Sequence, residues 1–216
     1  MKINEIVFPS SQYYAKAQKK KQIVIHHTVS NPLSVLGDVE YWKSDPSRIA
    51  TFGIISYDGI LNKCFPSEMW AHHLGVKMNV LKSMGFKDYS IRNEILNRNS
   101  IAIEIDSWGP LVKRGNTFFN VYDKPIDKSL EVVECNWRGY KYFQKYSDAQ
   151  IATLKELCEI FMSKYSIPNQ GLVDGDFDLR HDALAGKPGI YSHSNFRDDK
   201  SDLYPDKRIV EMLLQI

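Results

Sequence analysis

Long apolar runs and a hydrophobic leader are both missing from this sequence of 216 residues. No apolar stretch approaches the roughly 18 residues that a membrane-spanning helix needs. Near the start, Pro9 directly follows the short apolar run Ile6, Val7 and Phe8, which is too short for the core of a secretory signal. We therefore expect a protein without a membrane span that is synthesised in the cytoplasm.

An excess of charge of one sign is also absent. Lys and Arg number 28 and Asp and Glu number 26, which gives a formal net charge of +2. Because nucleic-acid binding depends on a basic face that neutralises phosphates, this balance argues against a nucleic-acid partner. The short run Lys19–Lys21 is predicted to be solvated.

The cysteine content is low, and its spacing excludes two structural classes. Cys64, Cys135 and Cys158 are odd in number and form no CxxC pair, so a disulfide framework or a four-thiolate zinc site is not expected. Cys158 lies in an apolar helical pattern, which predicts a buried free thiol.

The patterns that are present favour one α/β domain. Hydrophobic residues make up 43% and charged residues 25%, as in globular proteins, and no repeat or flexible linker divides the chain. β-branched and alternating runs predict strands, an Asp-Gly pair predicts a hairpin, and apolar residues at helical spacing behind Ser147 predict a long helix. The predicted strands are 23–28, 52–56, 60–65 and 100–106, and the predicted helices are 34–43, 147–165 and 206–214, with a short helix within 80–96. Residues 107–146 are predicted to form an aromatic and polar excursion that contains a hairpin.

Two adjacent histidines, His26 and His27, lie near the end of the first predicted strand. Because neighbours on a strand point to opposite faces, His26 shares a face with Val24 and Thr28, whereas His27 shares the other with Ile23 and Ile25. Only one of the two histidines can therefore ligate a metal on a given side. Taken alone, such a histidine is more often a hydrogen-bonded core residue.

Six further polar residues are candidates for chemistry or for an ordinary structural position. His193 and Asp202 lie in a polar segment that can present an imidazole and a carboxylate to one ion, or can be a surface turn. Glu104 lies in an apolar strand, where a carboxylate needs a partner or a wet cleft, unless that face is solvent-exposed. His72 and His73 are predicted to lie at the edge of a cleft, and His181 is predicted to lie on the surface.

In their order along the chain, these segments resemble the zinc-dependent N-acetylmuramoyl-L-alanine amidases of the type 2 amidase and peptidoglycan recognition protein family. The segments are IVIHHT, FGIISYDGIL, WAHHLG, NSIAIEI and GIYSHSNFRDDKSDLYP. The resemblance implies a single α/β domain with a central mixed β-sheet flanked by helices. It implies an N-terminal extension at 1–21, a catalytic domain at 22–216 and a family-variable insertion at 107–146.

The resemblance also assigns roles to residues. It implies His26, His193 and Asp202 as ligands of one catalytic Zn²⁺, with Glu104 as general base and Lys200 facing the scissile carbonyl. It implies substrate-binding roles for the residues His73, Trp70 and Thr28. Thr51 stands where some relatives have a catalytic tyrosine, His72 replaces a usual tryptophan, and Ala102 replaces a common glycine.

The implied reaction is hydrolysis of the amide between N-acetylmuramic acid and L-alanine in peptidoglycan. The expected partners are peptidoglycan and muropeptides, and the expected state is a monomer. A phage endolysin, a cell-wall remodelling or recycling enzyme and a toxin all fit this interpretation. A non-catalytic peptidoglycan-binding module and a zinc endopeptidase remain alternatives, although the HExxH helix of common zinc peptidases is missing.

Overall fold

Two buried strands, Gln22–His27 and Ser100–Ile105, pair in parallel at the centre of the main sheet of the computed structural model, which describes residues 1–216. The sheet has six strands, and its only antiparallel pair is the predicted Asp-Gly hairpin. In chain order these strands are β1 (Ile3–Glu5), β2 (Gln22–His27), β3 (Gly53–Ile55), β4 (Leu61–Lys63), β5 (Ser100–Ile105) and β10 (Gly189–Ser192). Their spatial order is β1-β4-β3-β5-β2-β10.

A second sheet is built from the residues that the sequence analysis assigned to an excursion. Its four antiparallel strands are β6 (Pro110–Arg114), β7 (Thr117–Phe119), β8 (Val132–Trp137) and β9 (Tyr140–Gln144), in the order β7-β6-β9-β8. The predicted hairpin is therefore one part of a larger sheet. The sequence predicted only one hairpin here, because these short, aromatic strands lack the regular alternation of apolar and polar residues that identifies β5.

Six α-helices surround the main sheet. They are α1 (Leu36–Ser44), α2 (Met78–Ser83), α3 (Arg92–Asn99), α4 (Asp148–Tyr165), α5 (His181–Leu184) and α6 (Lys207–Leu213). The segment 80–96, for which one short helix was predicted, contributes to two. Helix α4 begins with a capping box, in which the Ser147 hydroxyl accepts from the Gln150 N–H and the Gln150 side chain accepts from the Ser147 N–H.

The core lies on both faces of the main sheet. Ile23 and Ile25 of β2 pack in the larger apolar cluster with helices α4 and α6, whereas Val24 packs in a smaller cluster on the opposite face. The predicted alternation of β2 is thereby confirmed. Cys158 is fully buried as a free thiol, also as predicted.

The prediction of a solvated Lys19–Lys21 run was wrong for Lys20. Its side chain is buried, with 1% of its surface exposed, and its Nζ donates to the carbonyls of Met69, Arg98 and Ser100 at 2.7, 2.9 and 2.9 Å. Three acceptors match the three N–H donors of an ammonium group. Hydrogen bonds to the three carbonyls offset part of the cost of burying this polar side chain. No helix in the structure combines the length and the apolar character needed to cross a membrane.

Candidate metal centre and cleft

Three polar side chains converge where two parallel strands end. His26 is near the end of β2, His193 directly follows the neighbouring β10, and Asp202 lies in the loop after it. One ligand atom from each residue lies within 4.8 Å of the other two. All three residues are buried, with exposed fractions of 2%, 4% and 7%. These three residues, which are separate candidates in the sequence, therefore form one cluster.

The hydrogen bond of His193 to the backbone determines which of its ring nitrogens is free. Its Nε2 lies 2.9 Å from the carbonyl oxygen of Leu74, which can only accept a hydrogen bond. Nε2 therefore carries a proton, and Nδ1 faces Asp202 Oδ2 at 2.7 Å. A ring nitrogen and a carboxylate oxygen at this distance need a proton or a cation in common.

A chain of side chains determines the tautomer of His26 in the same way. Ser100 Oγ donates to the Leu96 carbonyl at 2.7 Å and accepts from His73 Nε2 at 2.8 Å. His73 Nδ1 then accepts from His26 Nε2 at 3.1 Å. Nδ1 of His26 is left bare, 3.3 Å from Asp202 Oδ2. Both histidines thus direct Nδ1 at the same carboxylate oxygen.

The electrostatics of the cluster favour a cation. Burial lowers the pKa of His26 to about 4, so its imidazole is neutral at pH 7. His193 and His26 hold the pKa of Asp202 well below its usual range despite the opposing effect of burial, so its carboxylate is ionised. Two histidine imidazoles and one carboxylate are a donor set that catalytic zinc uses, with a further position left for water or substrate. The residues present fit a zinc ion.

Glu104 lies beside this cluster. It is the register partner of His26 across the β2–β5 pair, and its Oε2 is buried without a hydrogen-bond partner. Burial raises the pKa of Glu104 well above its usual value, Asp202, Asp38 and Asp106 raise it further, and Lys200 opposes them. The side chain also lines a cavity of about 450 Å³, so the strand face of Glu104 borders a cleft.

The other sequence candidates lie at different distances from the cleft. Thr28 lines the same cavity and donates to Asp106 at 3.0 Å, and half-buried Lys200 is two residues before Asp202.

Trp70 is buried against the ring of Tyr14, with 3.8 Å between ring centroids, and does not line this cavity. His73 contacts His26. Thr51 is buried in the fold.

His27 points away from the cluster, as the strand alternation predicted. Its Nδ1 lies 2.7 Å from the Tyr146 hydroxyl in the core, on the face of α4. Gly109 packs directly against this ring: a Cβ there would lie 2.5 Å from His27 Nε2. Of the adjacent pair, only His26 reaches the metal-ligand cluster.

Sequence reasoning missed several residues around the site. Asp106 is fully buried, accepts from Thr28 and Ser30, and has a pKa that burial raises to about 7. The role of Ser100 as the support of His73 and the position of Tyr122 in the cleft also went unnoticed. Asp106 could have been found, because it shares the strand face of Glu104. No local signal marks Tyr122.

Comparisons with known proteins identify a family for this chain. A family model described as N-acetylmuramoyl-L-alanine amidase matches residues 16–205. A comparison with curated proteins found no match.

Solved structures share the fold over the whole chain. The amidase LysC from Clostridium intestinale URNW is 14% identical with a TM-score of 0.51, and the alignment covers 100% of this chain and 99% of that one. A mutant form of PlyL is 14% identical with a TM-score of 0.54, covering 100% of both chains. The hydrolase AmiA of Staphylococcus aureus is 13% identical with a TM-score of 0.52, covering 99% and 82%. At these identities the likeness establishes the α/β fold with its mixed central sheet.

Proposed function

The chain belongs to the N-acetylmuramoyl-L-alanine amidase family of peptidoglycan hydrolases, and from this premise we propose that it cleaves its substrate amide with one zinc ion held by His26, His193 and Asp202. The bond cut joins the lactyl group of N-acetylmuramic acid to L-alanine of the stem peptide. We propose that the catalytic domain comprises residues 22–216 and that residues 1–21 are an extension, which adds the edge strand β1 to the main sheet.

The observation that carries the proposal is the convergence of two histidine Nδ1 atoms on one carboxylate oxygen, at 3.3 and 2.7 Å. A buried cluster of three acceptors is unfavourable unless a cation holds it together. The hydrogen bonds of His73 and Leu74 keep both imidazoles in the tautomer that a metal requires. A zinc ion at this position supplies Lewis acidity to the reaction.

Glu104 is proposed as the general base. An unpartnered buried carboxylate beside the ligand cluster is a stronger base than an exposed glutamate, because burial favours its protonated form. It would take a proton from the attacking water and pass it to the leaving alanine nitrogen. This transfer converts a poor leaving group, an amide anion, into an amine.

Lys200 is proposed to stabilise the charge that develops on the carbonyl oxygen. Its ammonium is close enough to lower the pKa values of Glu104 and His26. The loss of one such stabilising group often costs about 3–4 kcal/mol of transition-state free energy. Thr28, in the cavity beside Glu104, is proposed to contact the substrate, and the same role stays a prediction for Trp70 and His73.

Product analysis of purified peptidoglycan tests the function. The zinc-loaded protein should release intact stem peptides with a new amino-terminal alanine and leave lactyl carboxyls on the glycan. A chelator should abolish the release and added zinc should restore it. New peptide ends within the stem would instead identify an endopeptidase, and binding without any new ends would identify a non-catalytic module.

A further inference from the structure

The second sheet reaches the cleft beside Glu104 through a single turn. The cavity of about 450 Å³ that holds Glu104 is lined on one side by Tyr41 and Trp42 of α1 and on another by Tyr122, from the turn that follows β7. Tyr41 and Tyr122 are each 63% exposed, whereas Trp42 is buried. Two solvent-exposed aromatic rings therefore border the space next to the proposed base.

The turn that carries Tyr122 is held in place by the chain around it. The buried side chain of Asn120 accepts from the backbone N–H groups of Tyr122 and Lys124, at 3.0 and 3.1 Å. The Asn120 N–H donates to the Lys124 carbonyl at 2.9 Å and closes the turn, while Arg114 pairs with Asp123. An ordered turn presents a tyrosine at a low cost in conformational entropy.

The second sheet is also tied to the loop of the metal ligands. Arg138, in the turn between β8 and β9, donates to the carbonyl of Asp198 and pairs with Asp178. Asp198 lies between His193 and Asp202 in the chain. The second sheet therefore contacts the ligand loop at one point, and through Tyr122 it lines the Glu104 cavity at another.

The charge of the cavity restricts what it can bind. Its lining includes the carboxylates of Asp38 and Glu104 and the hydroxyls of Thr28 and Ser30, and no lysine or arginine. A stem peptide carries carboxylates, which need cationic partners, whereas the glycan carries uncharged hydroxyls and amides. The C–H groups of a sugar ring can pack against the face of an aromatic ring, and its hydroxyls can donate hydrogen bonds to carboxylates. Aromatic rings beside hydrogen-bond acceptors therefore fit a saccharide.

We propose that Tyr41 and Tyr122 form a saccharide subsite, which binds the glycan part of the substrate beside Glu104. The subsite deepens the proposed amidase function and rests on it. Glycan bound there lies next to the base, so the amide on its lactyl group is held near the ligand cluster. Tyr122 makes the second sheet a determinant of substrate affinity.

Binding to separate halves of the substrate tests the subsite without turnover. Calorimetry of the zinc-loaded protein with peptide-free glycan strands should show binding that Tyr122→Ala and Tyr41→Ala each weaken by about tenfold. The affinity for free stem peptide should not change. Tyr122→Phe should retain glycan binding, since it keeps the ring. Tyr140→Ala, a change on β9 outside the cavity, is the matched control and should behave as wild type.

Hydrolysis supplies a second readout. Both alanine variants should raise KM for peptidoglycan and leave kcat near the wild-type value. Glycan binding that is undetectable in the wild type or unaffected by the variants, or a loss of peptide affinity instead, would overturn the subsite. Failure of the wild type to release stem peptides would count against the amidase function, and the glycan-binding measurement does not depend on that result.

Discussion

His26 and Glu104 are register partners on adjacent parallel strands, β2 and β5, and therefore point to the same face of the main sheet. The proposed metal ligand and the proposed base are positioned by backbone hydrogen bonds of the most buried strands and not by a flexible loop. Their relative placement is rigid for that reason. His193 and Asp202 join them from the end of β10 and the following loop.

Replacement of Glu104 by glutamine should separate metal binding from catalysis. Glu104→Gln keeps the shape of the side chain but cannot accept a proton, so kcat should fall about 10²- to 10⁴-fold. Zinc content should remain at that of the wild type, because Glu104 is not among the three ligands. Stem-peptide release and elemental analysis of the same preparation check both statements. Activity within about tenfold of wild type would exclude Glu104 as the base.

His73 should affect metal affinity through His26. His73→Ala removes the acceptor that keeps the proton on His26 Nε2, and zinc affinity should fall about 10- to 100-fold. The matched control is the neighbouring residue: His72 bonds to the Tyr14 hydroxyl and not to a ligand, so His72→Ala should retain zinc affinity. Competition with a chromophoric chelator measures both constants. An equal loss in the two variants would mean that the effect is only structural.

Zinc should stabilise the folded protein in a way that depends on Asp202. An ion that binds only the folded state at 100 times its Kd adds about 2.7 kcal/mol to the free energy of unfolding. The Tm of the wild type should therefore rise with zinc and fall with a chelator. In Asp202→Asn the ionised ligand is lost and the rise should disappear, as thermal denaturation with and without zinc can show. An equal rise in Tm with zinc in the wild type and in Asp202→Asn would mean that the ion binds at a site without Asp202.

Lys20 should make stability depend on pH. Burial lowers its pKa from 10.5 to about 7 in the folded state, although Glu68 opposes the shift. Between those pH values the unfolded chain binds the proton and the folded chain releases it. The free energy of unfolding of wild type should rise with pH across that window, by up to about 1.4 kcal/mol per pH unit from this group.

The comparison for this pH effect is Lys20→Met, which lacks the titrating group. Its free energy of unfolding should be lower at pH 7, because three carbonyls lose their donor. Its pH profile should also lack the additional rise above pH 7. Denaturant titrations from about pH 6 to about pH 10 measure both. Parallel profiles for the two proteins would mean that the carbonyls keep Lys20 charged throughout.

Much of the local structure could be predicted from the sequence, because it depends on neighbours in the chain. The alternation of β2 correctly separated His26 from His27, the Asp-Gly pair identified the β3–β4 hairpin, and Ser147 identified the start of α4. The order of the motifs led to the family that the family model matches. The prediction that Lys20 is solvated was wrong, and the prediction of a single hairpin in the second sheet was incomplete. Burial of a lysine and pairing of short aromatic strands both depend on residues that are distant in the chain.

The sequence by itself determined which residue types are available for the chemistry and which face of each strand they occupy. Only the tertiary structure decided that Ser100 and His73 orient His26, that His193 and Asp202 meet it, and that Tyr122 reaches the cleft. The physical reason is that side-chain direction follows from local backbone geometry, whereas convergence follows from strand register and from packing between distant segments. Those contacts form only when the whole chain is folded.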